Sequence, residues 1–403
     1  CSDECKKDSL NVPKLRFKGY NEEWVEKRIE KVLKIKHGKD KKAIETQDGR
    51  YPILATSGEI GRSNTFLWNK PCVLIGRKGT INKPQYMDIP FWTVDTLFYS
   101  DVFQENNAKY LYYLFNTINW EKYDESTGVP SLSAKTIERI KIKISNNAQE
   151  QEKIASFLTL IDKKIEKQKE LVGLLKKYKR GLLSQIFSQK LRFKDKNGND
   201  YQEWEECKFD EIFQILGNNT LSRECLNYTN IGVKNIHYGD ILVKYHTCIN
   251  DEIDKIPNIN SDINLNKIPD DNYLTVGDVI LADTAEDYTV GKTCEIVSCN
   301  TKILSGLHTI PCRPKRNFAK GYLGYYLNSA EYHDKLIPLI TGIKVSSISK
   351  KEIKKTIIKY PVYNEQKKIA NLLLLIENKL NLNIKRLELF ETYKKGLLQQ
   401  LFI

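Results

Sequence analysis

Long apolar runs are missing from this chain of 403 residues. No stretch approaches the roughly 18 consecutive apolar residues that a membrane span needs, so a transmembrane protein is not expected. No short apolar segment follows a basic stretch near the start, so no secretory leader is expected. The chain opens on Cys1 rather than Met, which suggests that sequence ahead of it is missing or processed. Histidine is scarce. His37, His237, His246, His308 and His333 are scattered, and none forms a recognisable acid–base or nucleophile arrangement.

Other catalytic signatures fail in turn. There is no Asn/Asp-Pro-Pro-aromatic tetrapeptide of the kind that holds a flipped adenine, and no Gly-rich loop suited to a methyl donor. Gly291-Lys292-Thr293 resembles the end of a phosphate-binding loop, but Glu286 stands where the first glycine of that turn is required. Glu352–Lys354 gives a Glu-x-Lys that any lysine-rich chain produces by accident. A chain of this size without a catalytic constellation reads as a binding protein rather than an enzyme.

Cysteine is present but unpaired in pattern. Cys1, Cys5, Cys72, Cys207, Cys225, Cys248, Cys294, Cys299 and Cys312 make an odd and mostly isolated set, which suits reduced thiols better than a disulfide framework. Cys294, Cys299, His308 and Cys312 are close enough to weigh as zinc ligands. They lack the tight pair that zinc sites use, and the expected role is small buried residues in strands; no metal is expected.

The formal net charge is +13. An excess of Lys and Arg favours a polyanionic partner. No strongly basic amphipathic helix carries Trp or Phe on its apolar side, so nucleic acid is preferred over an acidic membrane.

The chain repeats itself. Residues 150–187 and 365–402 align without a gap at an offset of 215, with 17 of 38 positions identical. LRFKGYNEEW from Leu15 matches LRFKDKNGNDYQEW from Leu191, and Thr127–Ile137 (TGVPSLSAKTI) matches Thr341–Ile353 (TGIKVSSISKKEI). Each half thus has an LRF…EW opening, a variable body, a TG loop and a long terminal segment. A common frame around divergent bodies implies one scaffold with two specificities.

The long segments are predicted helices. Ile154, Leu158, Ile161, Ile165, Gln168, Val172 and Leu175 alternate spacings of four and three, as do Ile369, Leu373, Ile376, Leu380, Asn383, Leu387 and Phe390. That is a heptad seam, in helices of about 57 Å. Gln168 and Asn383, each at the centre of its segment, either meet and fix register or face solvent. Two similar bodies, each followed by its helix, give a pseudo-two-fold object if the helices run antiparallel. The bodies read as strand-rich: Cys72–Gly79 and Asp278–Ala282 are apolar runs bounded by glycine, as buried strands are, while Lys109–Asn116 and Lys320–Asn328 are short helices whose tyrosines belong to the core. The expected fold is α+β: two globular mixed α/β domains separated by two long helices paired as an antiparallel coiled coil, an internal repeat with pseudo-two-fold symmetry. Boundaries are placed at 1–148, 149–188, 189–363 and 364–403.

The EQ-x-K-I-A openings at Glu150–Ala155 and Glu365–Ala370, the endings at Tyr178–Phe187 and Tyr393–Phe402, and the two LRF…EW starts resemble the specificity subunit of type I restriction-modification systems. The resemblance covers nearly the whole chain, although the bodies match only in position and size. It implies two target-recognition domains, each reading half of a split DNA site. It also implies a helix pair that sets the spacer and docks two modification subunits, which bind S-adenosylmethionine and methylate adenine. Two ATP- and Mg-dependent restriction subunits complete the nuclease form. The subunit itself would be non-catalytic, carry no cofactor and be cytoplasmic.

Arginine is the first candidate for guanine contacts, because its fork matches O6 and N7. In the first domain Arg62, Arg77 and Lys78 lie among Gly58, Gly61, Gly76 and Gly79, and glycine permits close backbone approach. In the second, Lys292, Arg313, Arg316 and Lys344 are chosen. Gly128, Ser131 and Ser133 are matched with Gly342, Ser346 and Ser347 in the TG loops, where hydroxyls and amides suit phosphate. Competing readings are a coiled-coil adaptor without specific DNA binding, an enzyme with a zinc centre at Cys294–Cys312, and a specificity subunit serving a fused methyltransferase-nuclease.

Overall fold

The computed structural model describes residues 11–229, 231–342 and 344–403, so Cys1 and Cys5 lie outside the described residues. The class is α+β. The chain divides into two compact units. One holds the residues up to Glu170 together with Ile384–Ile403, and the other holds Leu171–Asn383. The division crosses both long helices, the central one at Ala148–Phe187 and the terminal one at Tyr363–Leu401.

In the first unit four antiparallel strands run in the order Leu33–Lys36, Leu97–Val102, Cys72–Gly76, Gln85–Met87. The run Cys72–Gly76 is apolar throughout because both of its faces are covered. Val73 and Ile75 join the cluster of Trp24, Tyr110, Leu114 and Leu158, while Cys72 and Leu74 join Phe91, Leu97 and Tyr99. Alternate side chains of a strand point to opposite faces, so a strand buried twice loses its polar alternation. A second four-stranded sheet contains the hairpin Tyr51–Ala55 and Gly58–Ser63. The ribbon Val25–Arg28 with Lys141–Ile144 closes the body where it meets the central helix.

The second unit repeats this plan. Phe213–Ile215, Thr309–Pro314, Val279–Ala282 and Thr293–Ser298 take the same order, and Cys248–Asn250 is added in parallel at the edge. Val279 and Leu281 face one cluster, Ile280 and Ala282 the other. Glu205–Lys208 pairs with Ile357–Tyr360 as the equivalent ribbon. The tyrosine helices are Ala108–Phe115 and Tyr322–Leu327, and Tyr110, Tyr113, Tyr322, Tyr325 and Tyr326 are core residues.

The repeated motifs meet in space within each unit. Arg16 of the first LRF holds Glu150 with two hydrogen bonds, Nε to Oε1 at 2.6 Å and Nη2 to Oε2 at 3.0 Å. Trp24 Nε1 and Ser145 Oγ donate to Glu150 Oε2. Arg192 grips Glu365 in the same way, at 3.3 and 2.9 Å. The neighbouring glutamines act as a second bridge. Gln151 donates to Ser145 O and accepts from Asn107 N; Gln366 donates to Pro361 O and accepts from Ala319 N. The central helix begins where Asn147 Oδ1 accepts from the amides of Gln149 and Glu150, an N-cap.

A third repeated device joins body and helices. Tyr113 OH donates to Asp162 Oδ2 at 2.8 Å, and Lys394 Nζ lies 2.6 Å from Asp162 Oδ1. In the second unit Tyr325 OH donates to Glu377, and Lys179 Nζ reaches Glu377 Oε1 at 3.0 Å. Within each unit, therefore, early residues of one long helix lie beside late residues of the other, so the pairing is antiparallel there. Lys169 with Glu391 in the first unit agrees. The GLL-x-Q endings complete the packing: Leu397, Leu401 and Phe402 enter the first core, and Leu182, Ile186 and Phe187 enter the second.

Of the seam residues, Ile154, Leu158, Ile165, Gln168, Val172, Ile369, Leu373, Ile376, Leu380 and Asn383 are buried, whereas Ile161, Leu175, Leu387 and Phe390 are half-buried. Gln168 and Asn383 do not face solvent. Asn383 Nδ2 donates to Lys379 O one turn back, and the two residues belong to different units. No described helix is long and apolar enough to cross a membrane.

Candidate nucleic-acid interface

In each unit the buried central strand ends where two other loops arrive. Cys72–Gly76 runs into Arg77-Lys78-Gly79-Thr80. A Cβ on Gly76 would lie 2.2 Å from Thr80 O, so only glycine fits this tight exit. The amides of Arg77 and Lys78 both donate to Thr96 O, just before the strand Leu97–Val102. From the other side comes the TG loop. Leu132 N donates to Arg77 O at 2.9 Å, Gly79 N to Pro130 O at 2.8 Å, and Lys78 bridges to Ser131. Asp124 Oδ1 organises that loop by accepting from Ser126 N, Ser126 Oγ and Ser131 N. Its carboxyl is held below its ordinary value, first by the Ser131 amide and then by Ser126.

The second unit builds the same junction. Ile348 N donates to Asp283 O at 2.9 Å, Asp283 N to His308 O at 3.1 Å, and Thr284–Ala285 pairs with Ser346–Ser347. Gly342 has φ +108, and a Cβ there would sit 2.0 Å from Val345 O, so the turn of the TG loop requires glycine. Val129 and Val345 occupy equivalent places in the TG loops and are 68% and 52% exposed.

These contacts revise the matching of the two TG loops. Ser133 caps the helix Ala134–Arg139 by accepting from Thr136 N, and the residue that does this in the second unit is Ser349, which accepts from Glu352 N. Ser131 therefore corresponds to Ser347, and Pro130 to Ser346. The sequence motif misaligned them because the second TG loop is two residues longer between its glycine and the cap.

The structure brings together Arg77, Lys78, Gly128, Ser131 and Ser133 in the first unit, and Lys344, Ser346 and Ser347 in the second. Lys78 and Lys344 are exposed. Arg77 leans on Asp95 through Nη1 alone, an exposed ion pair of the kind that contributes at most about 1 kcal/mol. Ser133 Oγ is engaged by its cap and by Glu125. The other four basic candidates lie elsewhere. Arg62 is on the strand Gly58–Ser63, paired with Glu59 and reaching Gly49 O. Lys292 Nζ donates to the carbonyls of Leu242 and Tyr245, where a cation neutralises the end of the helix Tyr238–Val243. Arg313 makes four hydrogen bonds inside its domain, two of them to the buried Asp278. Arg316 bonds Tyr360 OH and pairs with Glu205 on the closing ribbon. Lys292 and Arg313 act as fold residues, because their donors are already directed inward.

The sequence motifs do not mark Asp283, Thr284 and His308 as part of the interface. The signal was available: aligning the strand DVILA with CVLIG puts Asp283 at the place of Arg77. Cysteine chemistry is absent from the site. Cys294 and Cys312 are buried in the five-stranded sheet, and burial pushes the Cys294 thiol up to about 12. Among the described residues no three His, Cys, Asp or Glu side chains gather as metal ligands.

Residues 21–172 match the family model described as the type I restriction modification DNA specificity domain. A protein of Methanocaldococcus jannaschii assigned as the MjaX type I restriction enzyme specificity subunit is 24% identical over 226 residues, which is 55% of this chain. The chain spans about half the length of that curated relative. Among solved structures, the type I restriction-modification S subunit from M. genitalium aligns over 97% of this chain and 99% of its own, with a TM-score of 0.63 at 17% identity. A chain from a study of complex assembly and conformational transition in the type I system aligns over 94% and 97%, with a TM-score of 0.53 at 13% identity. The architecture is thus shared at low identity, and residues 21–172 are similar to the type I restriction modification DNA specificity domain.

Proposed function

We propose that the chain is the DNA sequence-recognition subunit of a type I restriction-modification complex, with each unit reading one half of a bipartite site. One observation carries this reading. The same three-loop junction is built twice on one frame, and the side chains it presents differ: Arg77 and Lys78 in one unit, Asp283 and Thr284 in the other. A frame held constant with its exposed tips changed is what two different half-site specificities require. Exposed lysines supply phosphate contacts, which position without specifying, and the junction side chains supply base contacts.

In this reading the chain performs no catalysis. S-adenosylmethionine and ATP with Mg belong to partner subunits, two modification and two restriction chains, in the cytoplasm. Leucines left exposed along the long helices support the partner role: Leu160 is 64% exposed, Leu174 63%, Leu375 67%, Leu382 68% and Leu389 65%. Apolar side chains repeated on the outer face of a helix suit burial by another protein. The long helices set the spacer between half-sites.

The test is a genome-wide map of methylated adenines in the host with and without this gene. One split motif should lose its methylation on deletion. An unchanged map in a host that expresses the system would instead favour an adaptor without sequence-specific binding.

A further inference from the structure

The two junctions differ in the sign of the group they offer. Arg77 and Asp283 hold the same backbone place, each accepting at its carbonyl from the TG loop and donating its amide to the residue before the neighbouring strand. In the first unit that place carries a guanidinium leaning on a carboxylate. In the second it carries a carboxylate leaning on donors. Thr284 Oγ1 donates to Asp283 Oδ1 at 2.8 Å, and His308 Nδ1 lies 3.3 Å from the same oxygen. Oδ2 accepts no hydrogen bond from the described residues. The side chain is 24% exposed, so it is held in place with one acceptor open at the surface.

The supporting histidine is itself constrained. His308 has φ +54, unusual for a residue with a Cβ, and its ring packs edge-on against Tyr238 at 5.2 Å. Thr96 holds the equivalent place in the first unit. A carboxylate repels phosphate and the O6 and N7 acceptors of guanine. It accepts from an exocyclic amino group, and in the major groove only cytosine N4 and adenine N6 offer one.

We propose that Asp283, oriented by Thr284 and His308, is a specificity-determining residue of the second unit that accepts a hydrogen bond from the amino group of cytosine or adenine at one position of its half-site. Arg77 makes the complementary choice of guanine in the first unit. This rests on the recognition role proposed above.

The experiment replaces the chromosomal gene with Asp283→Ala, Asp283→Asn or Arg77→Ala and maps methylated adenines in the host genome. Asp283→Ala should relax one position of one half-site, raising methylation of sites with another base there about tenfold or more relative to the original motif. The other half-site should stay unchanged. Asp283→Asn keeps the shape and should favour adenine at that position, because a carboxamide pairs with N6 and N7. Arg77→Ala should relax the opposite half-site. Both half-sites unchanged in Asp283→Ala and Asp283→Asn would overturn the proposal. So would an even loss of methylation in both variants without any change of motif, which would make Asp283 a support of the fold. If no motif depends on the intact gene at all, the recognition reading fails before this one is reached.

Discussion

Glu150 and Glu365 are fully buried, yet each is met by an arginine fork that comes from the opening of its own half. Burial drives the Glu150 carboxyl upward. The hydrogen bonds from Arg16, Ser145 and Trp24 outweigh that effect and hold it below its ordinary value. Removing one partner of such a pair leaves a buried charge alone, at a cost of about 3–5 kcal/mol. Arg16→Ala and Arg192→Ala should each lower unfolding free energy by about that amount in urea titrations, without changing any base preference of the assembled complex. The pH dependence has a definite sign. A carboxyl with a depressed folded value contributes stability above its unfolded value, about 4.3, and loses it as pH falls through the folded value. Acid should therefore unfold the wild type more steeply below about pH 4.5 than Glu150→Gln, when melting temperature is followed against pH.

Among the elements, the long helices carry two kinds of leucine. Leu158 and Leu373 are fully buried, one in each unit's core, and truncating either to alanine should cost about 2–5 kcal/mol through lost burial and the cavity left behind. Leu160 and Leu375 point outward, where a substitution alters stability by about 0.5 kcal/mol or less. Leu160→Lys with Leu375→Lys should therefore leave the melting temperature of the isolated chain nearly unchanged while weakening co-purification with the methyltransferase subunit proposed above as its partner. Undiminished assembly would remove the outer faces as a docking surface. The short helices serve a different purpose. Ala108–Phe115 and Tyr322–Leu327 place Tyr113 and Tyr325 against Asp162 and Glu377, so the orientation of each body on its helices is set by a directional bond as well as by apolar packing.

For the whole molecule the consequence concerns the spacer. Both long helices are continuous, 40 and 39 residues, and each contributes one end to either unit. Inserting one heptad into each preserves the seam and adds about 10 Å of helix. The methylated motif should then gain about three base pairs between its halves, at roughly 3.4 Å per pair, with the bases of both halves unchanged. Methylated-base mapping reads both quantities together; altered half-site bases would show that the helices do more than set distance.

The internal repeat, the heptads and the doubly apolar strands were all readable from the sequence, because each is a local pattern of spacing and polarity. The same patterns carried the family resemblance. The role of the repeated LRF, EW and EQ motifs was not readable. Arg16 and Glu150 are 134 residues apart, and only the fold reveals that they form an ion pair. The site divided in the same way. Glycine and the TG motifs pointed to the loops, and Arg77, Lys78 and Lys344 are there. Charge alone could not separate them from Lys292 and Arg313, whose partners are carbonyls and a buried aspartate fixed by tertiary contacts. A basic composition points to cations and gives Asp283 no weight, and it offers His308 only as a possible metal ligand. Sequence determined what each segment is, because helix and strand periodicity are properties of neighbouring residues. Tertiary structure decided which charged groups remain available to a ligand, because that depends on partners far away along the chain.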